Sequence, residues 1–392
     1  MSDGLTVPSK MDGMATFNVN GKEVIIRNHE IDSSTFGEGA FGKNNVLLNK
    51  IDRNLIYDNG ISNIVALGGT TTIVYDTKNQ VIEQEFLSLV GTLRNCAGGP
   101  TPWNSWISCE ETTVVKSDIH QQNHGYNFEV KATTTPYINE PIPLKDMGRF
   151  NHEAVCVDPK TSVIYQTEDA YDGMIYRFLP NQKEQLQKGG KLQILSIKGE
   201  KSFDTRNWGK LSNGNVTEIN KKYNVEWLDI DNVDPTEDDL RLRGFEIGGA
   251  KFARGEGMWF GDNELYFACT NGGKSKLGQV FRYIPSEFEG TTKEKDFPPT
   301  LELFIESGNK DIITNCDNLT VSPWGDVVMC EDTESPRIIG INAIGEIYHI
   351  AHNTKYPSEF AGVCFSTDGS TLFVNIQHSG KTVAITGPWR KS

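Results

Sequence analysis

The sequence predicts an all-β fold, a six-bladed β-propeller with loop insertions between its blades. Three observations lead to this prediction. A hairpin-like unit recurs six times, a third strand repeats with nearly the same offset, and stretches with the 3.6-residue period of a helix are scarce. The 392 residues include 38 glycines, which suits many short strands joined by turns. Closed folds of this kind often reach this length as one domain.

Each copy of the hairpin unit has two short apolar strands with an acid or a cysteine near their shared end. In the third copy, residues 153–158 and 163–169 flank a turn at 159–162, which predicts a β-hairpin. Because hairpin strands are antiparallel, Glu153 is expected beside Glu168. The six copies span residues 12–30, 96–111, 153–169, 256–271, 317–332 and 362–378.

A third strand also repeats. The segment from Gly173 reads GMIYRFLP and the segment from Gly278 reads GQVFRYIP, an offset close to that between Glu153 and Glu256. Repeated four-stranded sheets at such a period indicate a propeller. We predict a single domain over 1–392, with a polar insertion at about 181–246 that forms loops and a small cap.

Charge and composition exclude several classes of function. The chain has 52 acidic and 38 basic residues, a formal net charge of −14, which disfavours nucleic acid and is compatible with bound cations. No apolar run approaches the roughly 20 residues that span a membrane. The start, Met1 to Gly4, is polar and does not read as a signal peptide.

In a propeller, the first strand of each blade lines the central channel, so its opening residues meet around one mouth. We predict that metal ligands gather there, in an inner tier and a second tier just outside it. Oxygen ligands suit Ca²⁺, and a thiolate among carboxylates suits iron. A single acid at a hairpin end is more often a turn former, and the cysteines can equally be core residues. The candidates are Asp12, Cys96, Glu153, Glu256 and Asp317, then Glu30, Cys109, Glu110, Glu111, Glu168 and Glu331.

One cationic residue is predicted at the same mouth. Arg254 lies two positions before Glu256, and a guanidinium offers paired donors to a phosphate. Several metal ions beside such a group are typical of phosphoester hydrolysis. The alternative is that Arg254 forms an ordinary ion pair with the acids around it.

Segments spread over the chain together resemble the PhoX-type alkaline phosphatase family of six-bladed propellers. They are residues 27–30, 68–72, 95–103, 108–111, 149–153, 167–169, 253–256, 316–318, 330–332, 373–378 and 385–389. The resemblance implies phosphomonoester hydrolysis at a cluster of Fe³⁺ and Ca²⁺ with one iron-bound cysteine, Cys96 or Cys109. It implies Glu153 and Glu256 as metal ligands and catalytic residues, and Arg254 as the phosphate clamp.

The resemblance further implies a small-molecule phosphoester as substrate, and a periplasmic or secreted enzyme whose leader is absent from this sequence. We expect a monomer. Two alternatives stay open at this point. One is a calcium-dependent lactonase or esterase with six blades and no thiolate ligand, and the other is a non-enzymatic propeller that binds a partner through its face.

Overall fold

The structure is a computed structural model that describes residues 1–33, 37–61 and 64–389. The described residues are mostly β-strand, with short 3-10 turns and one α-helix. The prediction of an all-β fold is confirmed at this level. Among the described residues, no helix has the length and apolar character needed to cross a membrane.

Two antiparallel sheets form the N-terminal part of the chain, and their strands pair in sequence order. The first contains β1 (Met11–Val19), β2 (Lys22–His29), β3 (Gly68–Asp76) and β4 (Val81–Thr92). The second contains β5 (Asn95–Pro100), β6 (Ser105–Glu110) and β7 (Asn127–Lys131).

A nine-stranded sheet occupies the middle of the chain and consists of two successive antiparallel sets. One set contains β8 (His152–Val157), β9 (Ile164–Glu168), β10 (Ile175–Pro180) and β11 (Gly190–Ile197); the other contains β13 (Gly255–Phe260), β14 (Leu265–Cys269), β15 (Gln279–Ile284) and β16 (Thr300–Glu306). Strand β12 (Lys222–Asp229) pairs with both β11 and β16 and so joins the sets.

Two further sheets end the described chain. They contain β17 (Cys316–Val321), β18 (Val327–Glu331), β19 (Arg337–Ile341) and β20 (Ile347–His352), then β21 (Phe360–Phe365), β22 (Thr371–Ile376) and β23 (Lys381–Thr386). All six predicted hairpins are present as antiparallel pairs, β1 with β2, β5 with β6, β8 with β9, β13 with β14, β17 with β18 and β21 with β22. The repeated segments 173–180 and 278–285 form the third strands β10 and β15.

The segment predicted as a polar insertion, 181–246, contributes to the sheet. It contains β11, β12 and most of the only α-helix in the described residues, α1 (Leu240–Ile247). Apolar side chains of β11 and β12, such as Leu195 and Trp227, are buried in the same cluster as those of β8 to β16. The boundaries of a single domain stay a prediction.

The first strands of the hairpins lie side by side in chain order. Strand β1 contacts β5, β5 contacts β8, β8 contacts β13, β13 contacts β17, β17 contacts β21, and β21 contacts β1 again. Residues from all six strands line a residual cavity of only about 20 Å³, so the space between them is filled. The third residue of each first strand is glycine or alanine in five of the six strands and asparagine in β17, which lets neighbouring strands lie close together. These residues are Gly13, Ala97, Ala154, Gly257, Asn318 and Gly362.

Replacing Gly257 with alanine should destabilise the protein by about 1–3 kcal/mol, the usual cost of overpacking. A Cβ at this position would lie 2.5 Å from the backbone nitrogen of Leu319 and 2.6 Å from the Cα of Asn318, so β13 and β17 would have to separate. Urea unfolding of the variant measures the loss. Gly308→Ala is the control, because nothing lies within 4 Å of that added Cβ. Equal unfolding midpoints for both variants would contradict the close approach of these strands.

Candidate functional site

Five hairpins share one register at the end where the first strand begins, and in the sixth one further pair, Ala361 with Asn375, precedes the bulge. The opening residue of the first strand pairs with the last residue of the second, and a bulge follows in each first strand. The pairs are Met11 with His29, Asn95 with Glu110, His152 with Glu168, Gly255 with Cys269, Cys316 with Glu331 and Phe360 with Ile376. Side chains alternate along a strand, so the next residue of each first strand faces the other way.

Those next residues supply most of a cluster at the mouth of the ring. Ligand atoms of Cys96, Glu111 and Glu153 lie within 4.8 Å of one another, and so do those of Glu153, Glu256 and Asp317. We refer to these five residues as the funnel cluster. Glu153 belongs to both groups, which makes it the central carboxylate. Of the two cysteines that the sequence left open, the structure brings Cys96 to the cluster.

Asp12 and Glu30 lie at the edge of the funnel cluster. The Gln377 side chain donates hydrogen bonds to Asp12 Oδ2 at 2.6 Å and to Glu30 Oε2 at 3.0 Å. The sixth hairpin therefore reaches the mouth through an amide rather than an acid, because its first strand has Ala361 and Gly362 where the other first strands carry an acid or a cysteine. This explains why the five other hairpins supply the candidate ligands.

The carboxyl groups of the funnel cluster lie too close together to be ionised at once without cations. Burial raises the pKa of Glu153 well above its usual range, and Glu111 and Asp317 raise it further. Burial also raises the pKa of Asp317 to about 7, with Asp332 adding to the shift. For Glu111 burial raises the pKa to about 8, although Arg94 opposes it. Bound cations would reverse these shifts.

Two buried oxygen atoms also fit a cation site. Asp12 Oδ1 and Glu153 Oε1 have no hydrogen-bond partner among the described residues. An unpartnered buried carboxylate oxygen costs free energy unless a cation or a proton compensates it. The donor set of one thiol and several carboxylates therefore fits iron at the Cys96 group and calcium at the oxygen-only group.

Arg254 stands beside the funnel cluster in a left-handed backbone conformation with φ of 51°. Its Nε and Nη2 donate to the two oxygens of Asp169 at 2.8 Å each, and Nη2 lies 3.1 Å from Glu256. Within the described part of the chain, Nη1 makes no hydrogen bond, and a quarter of the side chain is exposed. The guanidinium is therefore held in place with one donor group available to an anion.

Sequence reasoning missed a second arginine at the mouth. Arg94 contacts the carboxylate of Glu111 and lies 3.1 Å from Glu30. Its side chain is 39% exposed, and its Nη1 likewise makes no hydrogen bond to a described residue. The only available signal was its position just before the Asn95-Cys96 pair.

Four predicted ligands lie in other surroundings. Cys109 is buried in an apolar cluster with Ile107 and Phe150. Glu110, Glu168 and Glu331 occupy the last position of a second strand, so their side chains turn to the neighbouring strand and loops. Each of these carboxylates accepts hydrogen bonds from a side chain and from the backbone. The donors include His124 and the Gly125 amide for Glu110, Tyr176 and the Met174 amide for Glu168, and Arg337 and the Thr314 amide for Glu331. These carboxylates brace the hairpins.

The residues directly after these acids come to the mouth instead. Glu111 joins the funnel cluster, Asp169 holds Arg254, and Asp332 raises the pKa of Asp317. Glu359 forms a side-chain hydrogen bond with Asp332, and burial and then this contact raise the pKa of Glu359 to about 11. Asp169, Asp332 and Glu359 are absent from the sequence prediction. The acid doublets at 110–111, 168–169 and 331–332 were the signal, because adjacent strand residues face opposite sides.

The metal-free protein should lose stability as the pH rises from about 5 to about 8. The unfolded chain releases carboxyl protons near pH 4, whereas the folded chain holds them to about pH 7 at Asp317 and about pH 8 at Glu111. The folded state binds more protons in this window, so its stability falls as the pH increases. Thermal melting after chelator treatment measures the effect, expected to be roughly 5 °C.

A matched variant tests whether this pH dependence arises in the funnel cluster. Asp317→Asn should melt with a weaker pH dependence than the unaltered chain, and calcium should raise the melting temperature of the unaltered chain most at the higher pH. A metal-free protein that becomes more stable between about pH 5 and about pH 8 would contradict the charge crowding described above.

Known proteins resemble this chain to very different extents. No curated protein sequence matches it. Among solved structures, a gluconolactonase from Xanthomonas campestris is 10% identical, with a TM-score of 0.42 over 94% of this chain and 84% of its own. A luciferin-regenerating enzyme is 9% identical, with a TM-score of 0.48 over 97% of this chain and 92% of its own.

One comparison covers nearly the whole chain. The profile of the family described as alkaline phosphatase PhoX matches residues 2–380. This span includes every residue of the funnel cluster, both arginines at its mouth and all six hairpins. The chain belongs to the alkaline phosphatase PhoX family.

Proposed function

We propose that this protein hydrolyses phosphate monoesters at an iron–calcium cluster held by the funnel. The observation that carries the proposal is the position of Glu153, which is shared by a thiol-containing group and an oxygen-only group. The arginine Arg254 adjoins the second group through Glu256. A carboxylate common to two cation sites, with an anion-binding donor beside them, suits phosphoryl transfer to water.

The proposed ligands divide by their chemistry. Cys96, Glu111 and Glu153 would hold Fe³⁺, and Glu153, Glu256 and Asp317 would hold Ca²⁺, with Asp12 and Glu30 as further oxygen donors. Bound cations would supply Lewis-acid stabilisation of the phosphoryl oxygens and lower the pKa of an attacking water molecule. Family membership and the candidate groups support a metal-dependent enzyme.

The side chains around the cluster have separate tasks in this proposal. Arg254 donates from Nη1 to a phosphoryl oxygen, while Asp169 holds its other two donor groups in one plane. Arg94, which forms an ion pair with Glu111, offers a second donor from its own Nη1. Two fixed guanidinium groups stabilise the charge on the equatorial oxygens as the ester bond breaks.

We further propose that the sheets are six blades of one propeller. The closed order of contacts among the six first strands supports this number, with β12 as an extra strand between two blades. A small-molecule phosphoester, a monomeric state and a periplasmic or secreted location belong to the same proposal. The substrate class and the location are inferred from family membership, and the monomeric state is a separate expectation.

The decisive experiment combines elemental analysis with an activity assay. We expect iron and calcium in the purified protein, and phosphate release from an aryl phosphate that stops on chelation and returns when both metals are restored. Calcium alone with lactone or carboxylester hydrolysis would favour the calcium-dependent lactonase. Full activity after complete metal removal would overturn the mechanism. No hydrolysis of any ester would favour a binding module.

A further inference from the structure

A second group of ligand-type side chains meets inside the protein, away from the funnel cluster. His120 Nδ1 and His124 Nε2 lie 3.2 Å and 3.1 Å from the same oxygen, Asp58 Oδ2. The side chains of Asp58 and His124 are fully buried and that of His120 is 5% exposed. Asp58 comes from the loop between β2 and β3, and the two histidines come from the loop between β6 and β7.

Each imidazole is oriented by a hydrogen bond from its other ring nitrogen. His124 Nδ1 lies 2.6 Å from Glu110 Oε1, and His120 Nε2 lies 3.3 Å from Ser33 Oγ. Glu110 is itself held by the backbone amides of Leu93 and Gly125. A carboxylate on the far nitrogen of a histidine is the usual support of a metal-binding imidazole, because it selects the tautomer that leaves the near nitrogen unprotonated.

The separations and charges fit a small divalent cation. Ligand atoms around a tetrahedral zinc ion with bonds of about 2.0 Å lie about 3.3 Å apart. The two distances to Asp58 Oδ2 are close to this value, and the three ligand atoms all lie within 4.8 Å of one another. Two buried carboxylates, Asp58 and Glu110, carry two negative charges, which a divalent ion beside neutral imidazoles balances. Two imidazoles and one carboxylate form a donor set that zinc accepts readily, and a water molecule would complete the tetrahedron as its fourth ligand.

We propose that Asp58, His120 and His124 bind one divalent transition-metal ion of the zinc class, at a structural site separate from the funnel. The burial of all three side chains leaves no route for a substrate, which separates this site from a catalytic one. The ion would tie the β2–β3 loop to the β6–β7 loop. Through His124 it would also hold Glu110, the residue before Glu111 of the funnel cluster.

The alternative is a metal-free chain of hydrogen bonds. Burial lowers the pKa of His124, but Glu110 and Asp58 outweigh burial and raise it to about 9. A protonated His124 would then donate to both carboxylates and lock the same loops together. The two arrangements differ in metal content, in the spectrum of a substituted metal, and in their response to substitutions that keep the hydrogen bonds.

The test uses the full chain after removal of all metals, followed by one equivalent of Zn²⁺ or Co²⁺. We expect one zinc ion per chain, a rise in melting temperature, and a Co²⁺ visible spectrum of tetrahedral nitrogen and oxygen ligation. In the Co²⁺ protein, two exchangeable imidazole N–H signals should be paramagnetically shifted, one for each histidine. Binding in the funnel would instead give a thiolate charge-transfer band and no shifted imidazole signal, which would overturn the proposal.

Two variants separate metal binding from hydrogen bonding. His120→Asn and His124→Gln each place an amide nitrogen near the position of the ring nitrogen that faces Asp58, so they preserve a hydrogen bond and remove a metal ligand. Both should lose the zinc and the zinc-dependent rise in melting temperature. Cys96→Ser, which alters only the funnel, should keep both. Unchanged zinc content in the histidine variants would show that the zinc binds elsewhere and would overturn the proposal. Folded unaltered protein that binds no zinc would overturn it as well, and would favour the metal-free hydrogen bonds.

Discussion

Glu153→Gln should abolish phosphoester hydrolysis, lowering kcat/KM by at least about 10²–10³-fold, with loss of both iron and calcium. The substitution preserves the size of the side chain and removes the one carboxylate that both groups of the funnel cluster share. Each group would retain only two of its ligands. Aryl phosphate turnover and elemental analysis of the purified variant measure the two effects.

The folded state of the Glu153→Gln variant should be intact. Burial raises the pKa of Glu153 well above its usual range, which disfavours a charge at this position, so a neutral amide in its place should leave the melting temperature of the metal-free protein unchanged or higher. Glu168→Gln is the matched control, because Glu168 ends the second strand of the same hairpin and faces Tyr176 rather than the cluster. Equal loss of metal in both variants would contradict a special position for Glu153.

Arg254→Ala should reduce kcat/KM by about 10²–10³-fold while iron and calcium stay bound. The guanidinium donates to Asp169 and approaches Glu256, and it keeps Nη1 available to a phosphoryl oxygen. Its loss removes charge stabilisation from the transition state without removing a metal ligand. Inhibition by inorganic phosphate should weaken in parallel, which steady-state kinetics and elemental analysis measure.

Arg254→Lys distinguishes orientation from charge. Lysine keeps the positive charge but lacks the planar pair of donors that Asp169 holds, so we expect activity between those of the alanine variant and the unaltered protein. Arg94→Ala tests the second donor and should have a smaller effect, because its side chain is more exposed. Loss of the metals from Arg254→Ala would instead show that this arginine acts as an ion-pair partner of the acids.

The hairpins and their turns were predictable because their signals are local. Alternating apolar residues and turn-forming residues lie within about twenty positions of each other, and the structure has all six pairs. The identity of individual ligands was less accessible. Glu110 and Glu111 are equivalent in the sequence, yet one accepts hydrogen bonds from His124 and Gly125 while the other joins the cluster. A shift of one residue in register exchanges the two faces of a strand.

The sequence alone determined which segments form hairpins, that acids and a cysteine collect at one end of them, and the family to which the chain belongs. Only the tertiary structure decided between Cys96 and Cys109, and brought Arg94 and Asp169 to the mouth. It also joined Asp58 to His120 and His124 across two loops. The physical reason is that strand pairing depends on neighbouring residues, whereas a metal-type cluster depends on bulges, register and contacts between strands far apart in the chain.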